Sequence, residues 1–549
     1  MKVRVKCSEW LFLERYYANF IVEENKDVIR LKIITKEAAI QLIKDDSFVG
    51  LAGFVGCAHP ETLTAACEES FLKNGHPKNL TIQFSAGIGD GKTKGSNHFG
   101  NAGMVKRIIG GHYGLAPRLG ELISKNQTEA YNLPQGIVAH LWRAAAGNKP
   151  GVLSKVGLKT FIDPRLEGGK LNGKTTEDIV KLMPIDGEEY LFYKAYKPDV
   201  ALIRASTADE NGNLTMERES VITEAFAIAG AAKANGGIVI VEVERIAVKG
   251  TLKPMDIKIP GVLVDYVVMG DKDKFLQTNG EYYNPAYTGE VKFPLGSVVP
   301  LPLTERKIIA RRAAMELKPH CKANLGIGMP EGIATVAAEE GFGDTLTMTV
   351  ESGGFGGVPA AGASFGATVD AEAMICQTDM FDFYDGGNLD VTCLGIAQVD
   401  SFGNLNVSKF GPKIPGCGGF INISQNAKKI VFCGTLTAGG LRETIRDGKL
   451  VIEQEGRSKK FVQKVEQITF SAEYAKSIHQ PVIFITERAV FELQDEGLVL
   501  TEIAPGMDLQ KDILGQIDAK VKVSANLKVM DERIFKEKIM GLAADMINA

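Results

Sequence analysis

The stretch Ala201-Leu-Ile-Arg-Ala-Ser-Thr-Ala-Asp-Glu-Asn-Gly-Asn-Leu214 decides the fold, because the chain contains a second version of it. The other version is Cys393-Leu-Gly-Ile-Ala-Gln-Val-Asp-Ser-Phe-Gly-Asn-Leu405, and the shared pattern Asp-x-x-Gly-Asn-Leu recurs after 191 residues. At the same spacing, Asn235 and Asn426 each precede a run rich in Ile and Val. Two matches in one register indicate an internal duplication.

Each copy opens with the same order of elements. Thr35 precedes an amphipathic helical pattern that leads to a strand and the turn 53–61, and Thr304 precedes a similar pattern that leads to the turn 325–331. The openings lie 270 residues apart, whereas the repeated stretches lie 191 apart. The first copy therefore carries an insertion between its opening and its repeated stretch. Short β-branched runs between amphipathic helices predict mainly parallel sheets with helices on both faces. We therefore predict an α/β protein of two homologous open domains, with the active site between them at the strand ends.

The proline-rich segment Pro294 to Pro302 joins the copies, so we predict domains at residues 31–297 and 298–549. Residues 1–30 mix acidic and aromatic residues, and they fit neither a secretory signal nor an Arg-rich transit peptide. We treat them as an N-terminal extension of unknown role.

The composition narrows the class of protein. With 549 residues, 45% hydrophobic and 24% charged, the chain is typical of a globular protein of several domains. Lys and Arg number 63 against 67 Asp and Glu, which disfavours nucleic acid as a partner. No uninterrupted apolar run in the sequence approaches 18 residues, so we predict no membrane span.

The eight cysteines form no CxxC pair and fit a cytoplasmic enzyme. His98 and His112 flank glycines, but no His/Cys cluster indicates a metal, so we interpret them as core or surface residues.

Glu351 is the strongest candidate for catalysis. It follows the apolar run 346–350 and precedes four glycines within the five positions 353–357, so a carboxylate stands at a strand end with few Cβ atoms around it. A carboxylate can attack a thioester where water is excluded and an oxyanion site is ready. The alternative is a turn or helix-capping glutamate. The repeat spacing pairs Glu351 with Thr160, so the carboxylate exists in one copy only.

Three other motifs each have a functional and a structural interpretation. Gly326-Ile-Gly328-Met329-Pro330 predicts a strand-to-helix turn whose free N–H groups face an oxyanion, or simply a tight reversal. Gly439 and Gly440 follow another strand, where they would supply a second N–H, let a pantetheine chain pass, or only form a turn. Lys459 and Lys460 offer charge for phosphate, or a solvated surface.

The aromatic stretch 381–387 fits a pocket wall or a half-buried strand and turn.

The stretch Val350-Glu-Ser-Gly353, followed by Gly356-Gly-Val-Pro359, resembles the class I coenzyme A transferases, and most of all the single-chain acetate and propionate CoA-transferases. The resemblance runs from about residue 33 to 545 and includes the segments 47–56, 161–165, 406–412 and 418–426. Two departures stand out. Ser352 replaces a common Asn, and Ala52 replaces the first glycine of a common Gly-Gly-Phe, so the acyl pocket is expected to differ.

The resemblance implies that Glu351 is the nucleophile of a short-chain acyl-CoA:carboxylate CoA-transferase, acting through an acyl-glutamyl anhydride and a glutamyl-CoA thioester. The oxyanion and CoA contacts it implies map to Gly326, Gly328, Met329, Pro330, Gly439, Gly440 and Lys460. Coenzyme A is then a co-substrate, no cofactor is permanently bound, and a homo-oligomer is expected. Acyl-CoA hydrolysis on the same glutamate and non-catalytic binding of CoA esters remain as alternatives. The sequence does not select among acetate, propionate, butyrate, lactate and acetoacetate.

Overall fold

A computed structural model describes residues 32–293 and 299–548 of the chain. The extension 1–30 and part of the proline-rich junction therefore lie outside the described residues. The helices of the first half are α1 (Lys36–Gln41), α2 (Glu61–Asn74), α3 (Pro117–Ser124), α4 (Gln135–Ala146) and α5 (Ala225–Lys233). The helices of the second half are α6 (Glu305–Ala314), α7 (Gly332–Glu339), α8 (Gln377–Asp385), α9 (Phe420–Asn426), α10 (Ala472–Ser477) and α11 (Leu542–Asn548).

The strands of the first half are β1 (Lys32–Ile33), β2 (Phe48–Leu51), β3 (Leu80–Phe84), β4 (Val105–Gly110), β5 (Glu129–Asn132), β6 (Gly151–Ser154), β7 (Val180–Ile185), β8 (Glu188–Lys194), β9 (Val200–Asp209), β10 (Leu214–Thr215), β11 (Ile238–Ala247), β12 (Ile257–Ile259) and β13 (Tyr266–Met269). The strands of the second half are β14 (Lys322–Leu325), β15 (Thr347–Thr349), β16 (Gly354–Phe355), β17 (Val358–Pro359), β18 (Thr368–Val369), β19 (Ala373–Met374), β20 (Val391–Gly395), β21 (Gln398–Val399), β22 (Leu405–Asn406), β23 (Ile430–Cys433), β24 (Thr437–Ala438), β25 (Arg442–Arg446), β26 (Lys449–Gln454), β27 (Ser458–Lys459), β28 (Val482–Ile485), β29 (Ala489–Gln494), β30 (Gly497–Ile503) and β31 (Lys522–Val529).

Each half is built on one large sheet. The first sheet has the order β1-β13-β11-β9-β2-β3-β4-β5, in which all neighbours are parallel, and β10 and β12 join it through antiparallel pairs. The second has the order β19-β16-β15-β14-β20-β23-β28-β29-β30-β31, with parallel pairs from β15 to β28. The predicted α/β fold with two mainly parallel sheets is confirmed.

Both faces of the second sheet are buried, which explains its apolar strands. Along β20 and β23, Cys393 and Val431 belong to one core and Leu394 and Phe432 to the other. Successive side chains of a strand point to opposite faces, so a strand covered on both sides needs a continuous apolar run. Among the described residues, no helix is both long and apolar enough to cross a bilayer.

The strand register confirms the duplication. Ala201 pairs with Val239 across β9 and β11, and Thr392 pairs with Ile430 across β20 and β23, so both partners are displaced by 191 residues. The turns at Asp209, which ends β9, and at Asp400, which follows β21, also share one hydrogen-bond pattern. Asp209 Oδ1 accepts from the N–H groups of Asn211 and Asn213 at 2.9 Å, and the equivalent carboxylate, Asp400, accepts from Phe402 and Asn404 at 3.0 Å.

The predicted pairing of Glu351 with Thr160 is wrong. Val49 of β2 pairs with Val200, and Ala323 of β14 pairs with Val391, the residue 191 positions later, so Ala323 is the counterpart of Val49. Val49 also pairs with Ile82 of β3, and Ala323 also pairs with Met348 of β15. Counted from these partners, Glu351 corresponds to Ser85. The spacing of 191 fails here because the extra residues of the first half, including the small antiparallel sheet β6-β8-β7, come after β3 and before β9. The carboxylate still occurs in one copy only.

The predicted helix starts are confirmed in position. Thr35 caps α1 and accepts from the Ala38 N–H at 3.2 Å, whereas Thr304 precedes α6 without a side-chain bond to it. Residues 381–385 of the aromatic stretch form the end of α8 rather than a strand, and Gly386 and Gly387 form the turn that follows. Phe381 of this helix packs against Gly136 of α4, where a Cβ would lie 2.4 Å from the ring. Helix α8 therefore joins the two halves.

Candidate active site

A cavity of about 340 Å³ lies between the two halves, at the ends of the parallel strands. The first half contributes residues from the loop after β2, from the loop after β3 and from the segment 112–115. The second half contributes the ends of β14 and β20, the turn after β15 and the segment 416–420. The strand ends of both sheets therefore enclose one space, as expected for a ligand site in an open α/β fold.

Glu351 lines this cavity from a tight turn at the end of β15. The Val350 N–H donates to the Gly354 carbonyl at 3.0 Å, and the Gly353 N–H donates to the Val350 carbonyl at 2.9 Å, so the turn is held on both sides of Glu351. Among the described residues, no Lys, Arg or His side chain forms an ion pair with this carboxylate, and burial raises its pKa. A poorly solvated, unpaired carboxylate facing a cavity has the surroundings of a nucleophile.

The glycines that follow Glu351 allow a neighbouring strand to approach. Gly353 has a φ of 124°, and a Cβ on it would lie 2.0 Å from the Ile375 carbonyl oxygen. A Cβ on Gly357 would lie 2.2 Å from the Val369 oxygen. The sequence suggested that these glycines make room for a substrate, but at these two positions the room is filled by backbone of the same half.

A buried hydrogen-bond chain lies beside the Glu351 turn. The Tyr384 hydroxyl donates to Thr349 Oγ1 at 3.0 Å, and Asn324 Nδ2 donates to the Tyr384 oxygen at 3.3 Å. Burial, with a further contribution from the Glu351 charge, raises the pKa of Tyr384. Asn324 also lines the cavity. The chain ties the end of β14 to the end of β15 and fixes the distance between Asn324 and the glutamate turn.

The turn 326–330 follows β14, and only part of it faces the cavity. The Gly326 N–H is used by the Cys393 carbonyl at 2.8 Å, and Pro330 has no N–H, so neither can donate to an oxyanion. Ile327 lines the cavity with Gly326, and its side chain is 61% exposed. Within the described part of the chain, the N–H groups of Ile327 and Gly328 have no acceptor. Gly328 and Met329 continue the turn beyond the cavity lining.

Gly439 and Gly440 lie on an exposed turn outside the cavity lining, with φ angles of 81° and 100°. Lys460 lies between this turn and the cavity. Its Nζ donates to Thr435 Oγ1 at 3.2 Å, and burial lowers its pKa, whereas Lys459 is exposed and pairs with Asp518 at 2.7 Å.

Gly434 connects Lys460 to the cavity. A Cβ on Gly434 would lie 3.3 Å from Lys460 Nζ and 2.9 Å from the Cβ of Ile396, a cavity residue. Gly434 therefore lies between the Lys460 ammonium group and the cavity residue Ile396.

Sequence reasoning missed three cavity residues. Ala397, used only as a marker of the repeat, lines the cavity with an N–H that has no acceptor among the described residues. The signal was available, because β14 and β20 are parallel neighbours whose carboxyl ends meet. Gln135 and His112 of the first half also line the cavity. Among the described residues, no three His, Cys, Asp or Glu side chains are grouped as metal ligands would be.

Comparisons with known proteins cover nearly the whole chain. A family model described as Coenzyme A transferase matches residues 33–270. The chain is 50% identical to the caffeate CoA-transferase of Acetobacterium woodii, over 93% of this chain and 98% of that protein. It is 45% identical to the acetate CoA-transferase YdiF of Escherichia coli K12, over 93% of this chain and 96% of that protein.

The solved structure of the acyl-CoA transferase YdiF from Escherichia coli O157:H7, as a thioester complex with CoA, is also similar. It superposes with a TM-score of 0.89 at 43% identity and covers 93% of this chain and 98% of that one. The likeness therefore extends over both halves of the fold.

Proposed function

This chain belongs to the coenzyme A transferase family, and we propose that it moves coenzyme A from an acyl-CoA to a free short-chain carboxylate, with Glu351 as the nucleophile. The observation that carries the proposal is the position of Glu351. Its carboxylate lines the cavity shared by the two halves, is not paired with a cation among the described residues, and stands near the unused N–H groups of the turn after β14.

The reaction begins with an attack on the acyl-CoA thioester. A carboxylate oxygen of Glu351 bonds to the thioester carbonyl carbon, the carbon–sulfur bond breaks, and coenzyme A leaves as a thiolate, which yields an acyl-glutamyl anhydride. The thiolate then attacks the Glu351 carbonyl carbon of the anhydride. The acyl group leaves as a free carboxylate, and a glutamyl-CoA thioester remains on the enzyme.

The second half of the cycle reverses these steps with a different acid. Its carboxylate attacks the glutamyl-CoA thioester and expels the thiolate, which then attacks the acyl carbon of the new anhydride. A new acyl-CoA leaves, and Glu351 is a carboxylate again. No proton is gained or lost, and the thioester energy is conserved throughout. The thioester complex named for the similar YdiF structure supports this route.

We assign the oxyanion site to the N–H groups of Ile327 and Ala397, both of which line the cavity with Glu351. These groups have no acceptor among the described residues, so they are free for an oxygen that becomes negative as the tetrahedral intermediate forms. One such donor is typically worth about 3 kcal/mol, or ~100-fold in rate. Gly439, Gly440 and Lys460 lie farther out, which fits contacts with the remote parts of coenzyme A.

The acyl range is proposed from similarity and from the cavity wall. Similar proteins are named for acetate and for caffeate, so both small aliphatic and larger aromatic acids belong in the substrate panel. Phe54, Phe365 and Phe420 line the cavity and give it an apolar wall. We propose acetate and propionate as the first donors and acceptors to test. We also propose that the protein acts as a cytoplasmic homo-oligomer without a permanently bound cofactor.

Mass spectrometry of the intact protein tests the central claim. Incubation with acetyl-CoA or propionyl-CoA, without an acceptor acid, should add the mass of coenzyme A less water to the wild type and to Glu372→Ala, but not to Glu351→Ala. Glu372 is a suitable control because it is an exposed glutamate near the same glycine loop. A wild type that turns over substrate and never carries the adduct would contradict the proposal.

Measuring acyl-CoA consumption and free thiol in the same incubations separates transfer from hydrolysis. A transferase should consume acyl-CoA rapidly only after an acceptor acid is added, and the free thiol should not accumulate. Steady release of thiol without an acceptor would identify a hydrolase. A protein that binds acyl-CoA but exchanges no labelled acetate would be a binding module.

A further inference from the structure

We propose that His112 determines acyl specificity, and that the cavity is built for acyl groups with a hydroxyl or carbonyl substituent rather than for plain alkyl chains. The inference rests on the proposed function, because it concerns the acyl group that is transferred at Glu351. It names the substrate class that the cavity recognises and the residue that recognises it.

The polar lining of the cavity is sparse. The polar side chains that line it include His112, Gln135, Asn324 and Glu351, while most of the remaining wall is apolar or glycine. Glu351 is assigned to the attack, and Asn324 is held by Tyr384. His112 and Gln135 come from the first half, which has no counterpart of the nucleophile. They are therefore the polar groups left for the acyl substituent.

The imidazole ring lies in a slot made by two glycines. A Cβ on Gly87 would lie 2.6 Å from His112 Nδ1, and a Cβ on Gly114 would lie 2.8 Å from its Cε1. Real Cβ atoms do not approach a ring so closely, so any larger residue at either position would push the ring away. The local sequence therefore reserves space for this side chain on two sides.

The backbone around His112 is fixed from the opposite half of the molecule. The Gly111 carbonyl accepts from the Gly418 N–H at 2.7 Å, and the Tyr113 N–H donates to the Pro415 carbonyl at 2.6 Å. Hydrogen bonds on both flanking residues hold the Cα of His112 in place. A side chain held in this way is preorganised for a ligand and loses little entropy on binding.

The ring itself has no hydrogen-bond partner among the described residues, and burial lowers its pKa to about 4. At physiological pH it is therefore neutral, with one nitrogen donating and the other accepting. A neutral imidazole suits a hydroxyl or keto oxygen, and it would not pair with the substrate carboxylate as a cation would. Gln135 is 3% exposed, and its Nε2 has no partner in the described part of the chain, so it adds a second donor from the same half.

This arrangement predicts a preference among acids of equal size. A site with buried polar groups discriminates against an analogue that leaves them unpaired, whereas an apolar pocket discriminates weakly. Lactoyl-CoA and propionyl-CoA differ by one hydroxyl group, and acetoacetyl-CoA and butyryl-CoA differ by one keto group. We expect the wild type to favour the oxygenated member of each pair by about 10-fold or more in kcat/KM.

The test compares both pairs in the wild type and in His112→Leu, His112→Asn and His112→Gln. The leucine variant should lose about 10- to 100-fold more kcat/KM on the oxygenated members than on the alkyl members. One of the two amide variants should restore part of the preference, because an amide supplies a donor and an acceptor at the position of one ring nitrogen. A general structural defect would instead reduce both members of a pair equally.

Two results would overturn the inference. One is a wild type that prefers the alkyl member of both pairs, a result that needs no variant to fold. The other is a leucine variant in which the ratio within each pair is unchanged. Formation of the glutamyl-CoA adduct from propionyl-CoA, measured on the same samples, keeps this outcome distinct from a failure of the proposed reaction itself.

Discussion

Glu351 is held where its negative charge is poorly solvated. The residue lines the cavity, no cation among the described residues neutralises it, and burial raises its pKa from the ordinary value of 4.5. The unfolded chain has no such penalty, so folding must work against ionisation at this position. The same poor solvation increases the reactivity of the carboxylate toward a thioester carbonyl. Reactivity and instability therefore have a common origin at this residue.

Glu351→Gln should consequently stabilise the fold in a pH-dependent way. Below pH of about 4.5 the glutamate is protonated in both states, and the two proteins should unfold at the same temperature. As the pH rises, the unfolded wild type ionises first, so its free energy of unfolding falls relative to that of the variant until the folded carboxyl has also ionised. Differential scanning calorimetry at pH 4 and pH 8 measures this effect. Identical unfolding temperatures at both pH values would show that the charge is well solvated.

Lys459 and Lys460 form a matched pair for the coenzyme A contact. Lys460 is half-buried and forms no ion pair with an acidic side chain within residues 32–293 and 299–548, whereas Lys459 is paired with Asp518 at the surface. Lys460→Met should raise KM for acyl-CoA by about 10-fold, because one charge-assisted contact with phosphate is worth roughly 1.5 kcal/mol. Lys459→Met should change KM by less than about 2-fold, as surface pairs contribute little. Steady-state kinetics with varied acyl-CoA gives both values, and equal effects would remove Lys460 from the site.

At the scale of elements, the Glu351 turn depends on how closely β19 and the start of α8 approach it. Gly353 is packed against the Ile375 carbonyl, where a Cβ would lie 2.0 Å away, while the exposed Gly362 has open space around it. Gly353 and Gly362 both have a positive φ, 124° and 62° respectively, so alanine would strain the backbone at either position. They differ in whether a methyl group displaces the catalytic turn.

Gly353→Ala should therefore reduce the rate of adduct formation by about 100-fold, which is the usual effect of moving a reacting group by ~1 Å. Gly362→Ala should cost some stability and leave the rate within about 3-fold of the wild type. Rapid-quench mass spectrometry with acetyl-CoA measures both. If the two variants behaved alike, the position of the turn would not be set by the contact with Ile375.

The elements also show which features the sequence could reveal. The helices after Thr35 and Thr304 and the repeated turns at Asp209 and Asp400 follow from local patterns, because caps and turn residues act over a few positions. The helix Gln377–Asp385 was missed, since Phe381 packs against Gly136 of the other half while Tyr384 bonds to Thr349 of its own half, and the local sequence contains neither partner. The equivalence of Glu351 with Ser85 needed strand pairing, because an insertion of unknown position defeats a constant spacing.

At the scale of the whole molecule, the two halves are joined by backbone as well as by side chains. The Phe161 N–H donates to the Ile468 carbonyl at 2.8 Å, the Gln135 N–H donates to the Gly418 carbonyl at 2.9 Å, and Arg143 forms an ion pair with Asp382 at 2.6 Å. We expect contacts of this kind to hold the halves together even without the peptide link between them. They also place the two parts of the cavity at a fixed distance.

We therefore expect residues 1–297 and 298–549, produced together as separate chains, to associate and to form the glutamyl-CoA adduct. Each half alone should give none, because each contributes only one side of the cavity. Co-purification through a tag on one half, followed by mass spectrometry, tests both statements. Two halves that fold but do not associate would contradict the proposed domain limits.

Cavity residues contributed by distant segments set the limit of what the sequence could reveal. Glu351 could be proposed as the nucleophile because a strand, a carboxylate and a glycine cluster are contiguous in the sequence, and resemblance to a family supported the proposal. His112 and Gln135 belong to two separate segments of the first half, and only the packing of that half on the other brings them to the cavity that Glu351 lines. No local pattern contains that information, so a lone histidine between glycines was interpreted as structural.

The shared cavity also constrains how this enzyme can change through recombination. A crossover near residue 297 would join His112 and Gln135 from one parent to Glu351 and the second-half lining of the cavity from another. Chimeras of that kind should inherit chemistry from one ancestor and substrate choice from the other. Shuffling intact halves among relatives is therefore a direct way to exchange selectivity while leaving the covalent steps untouched.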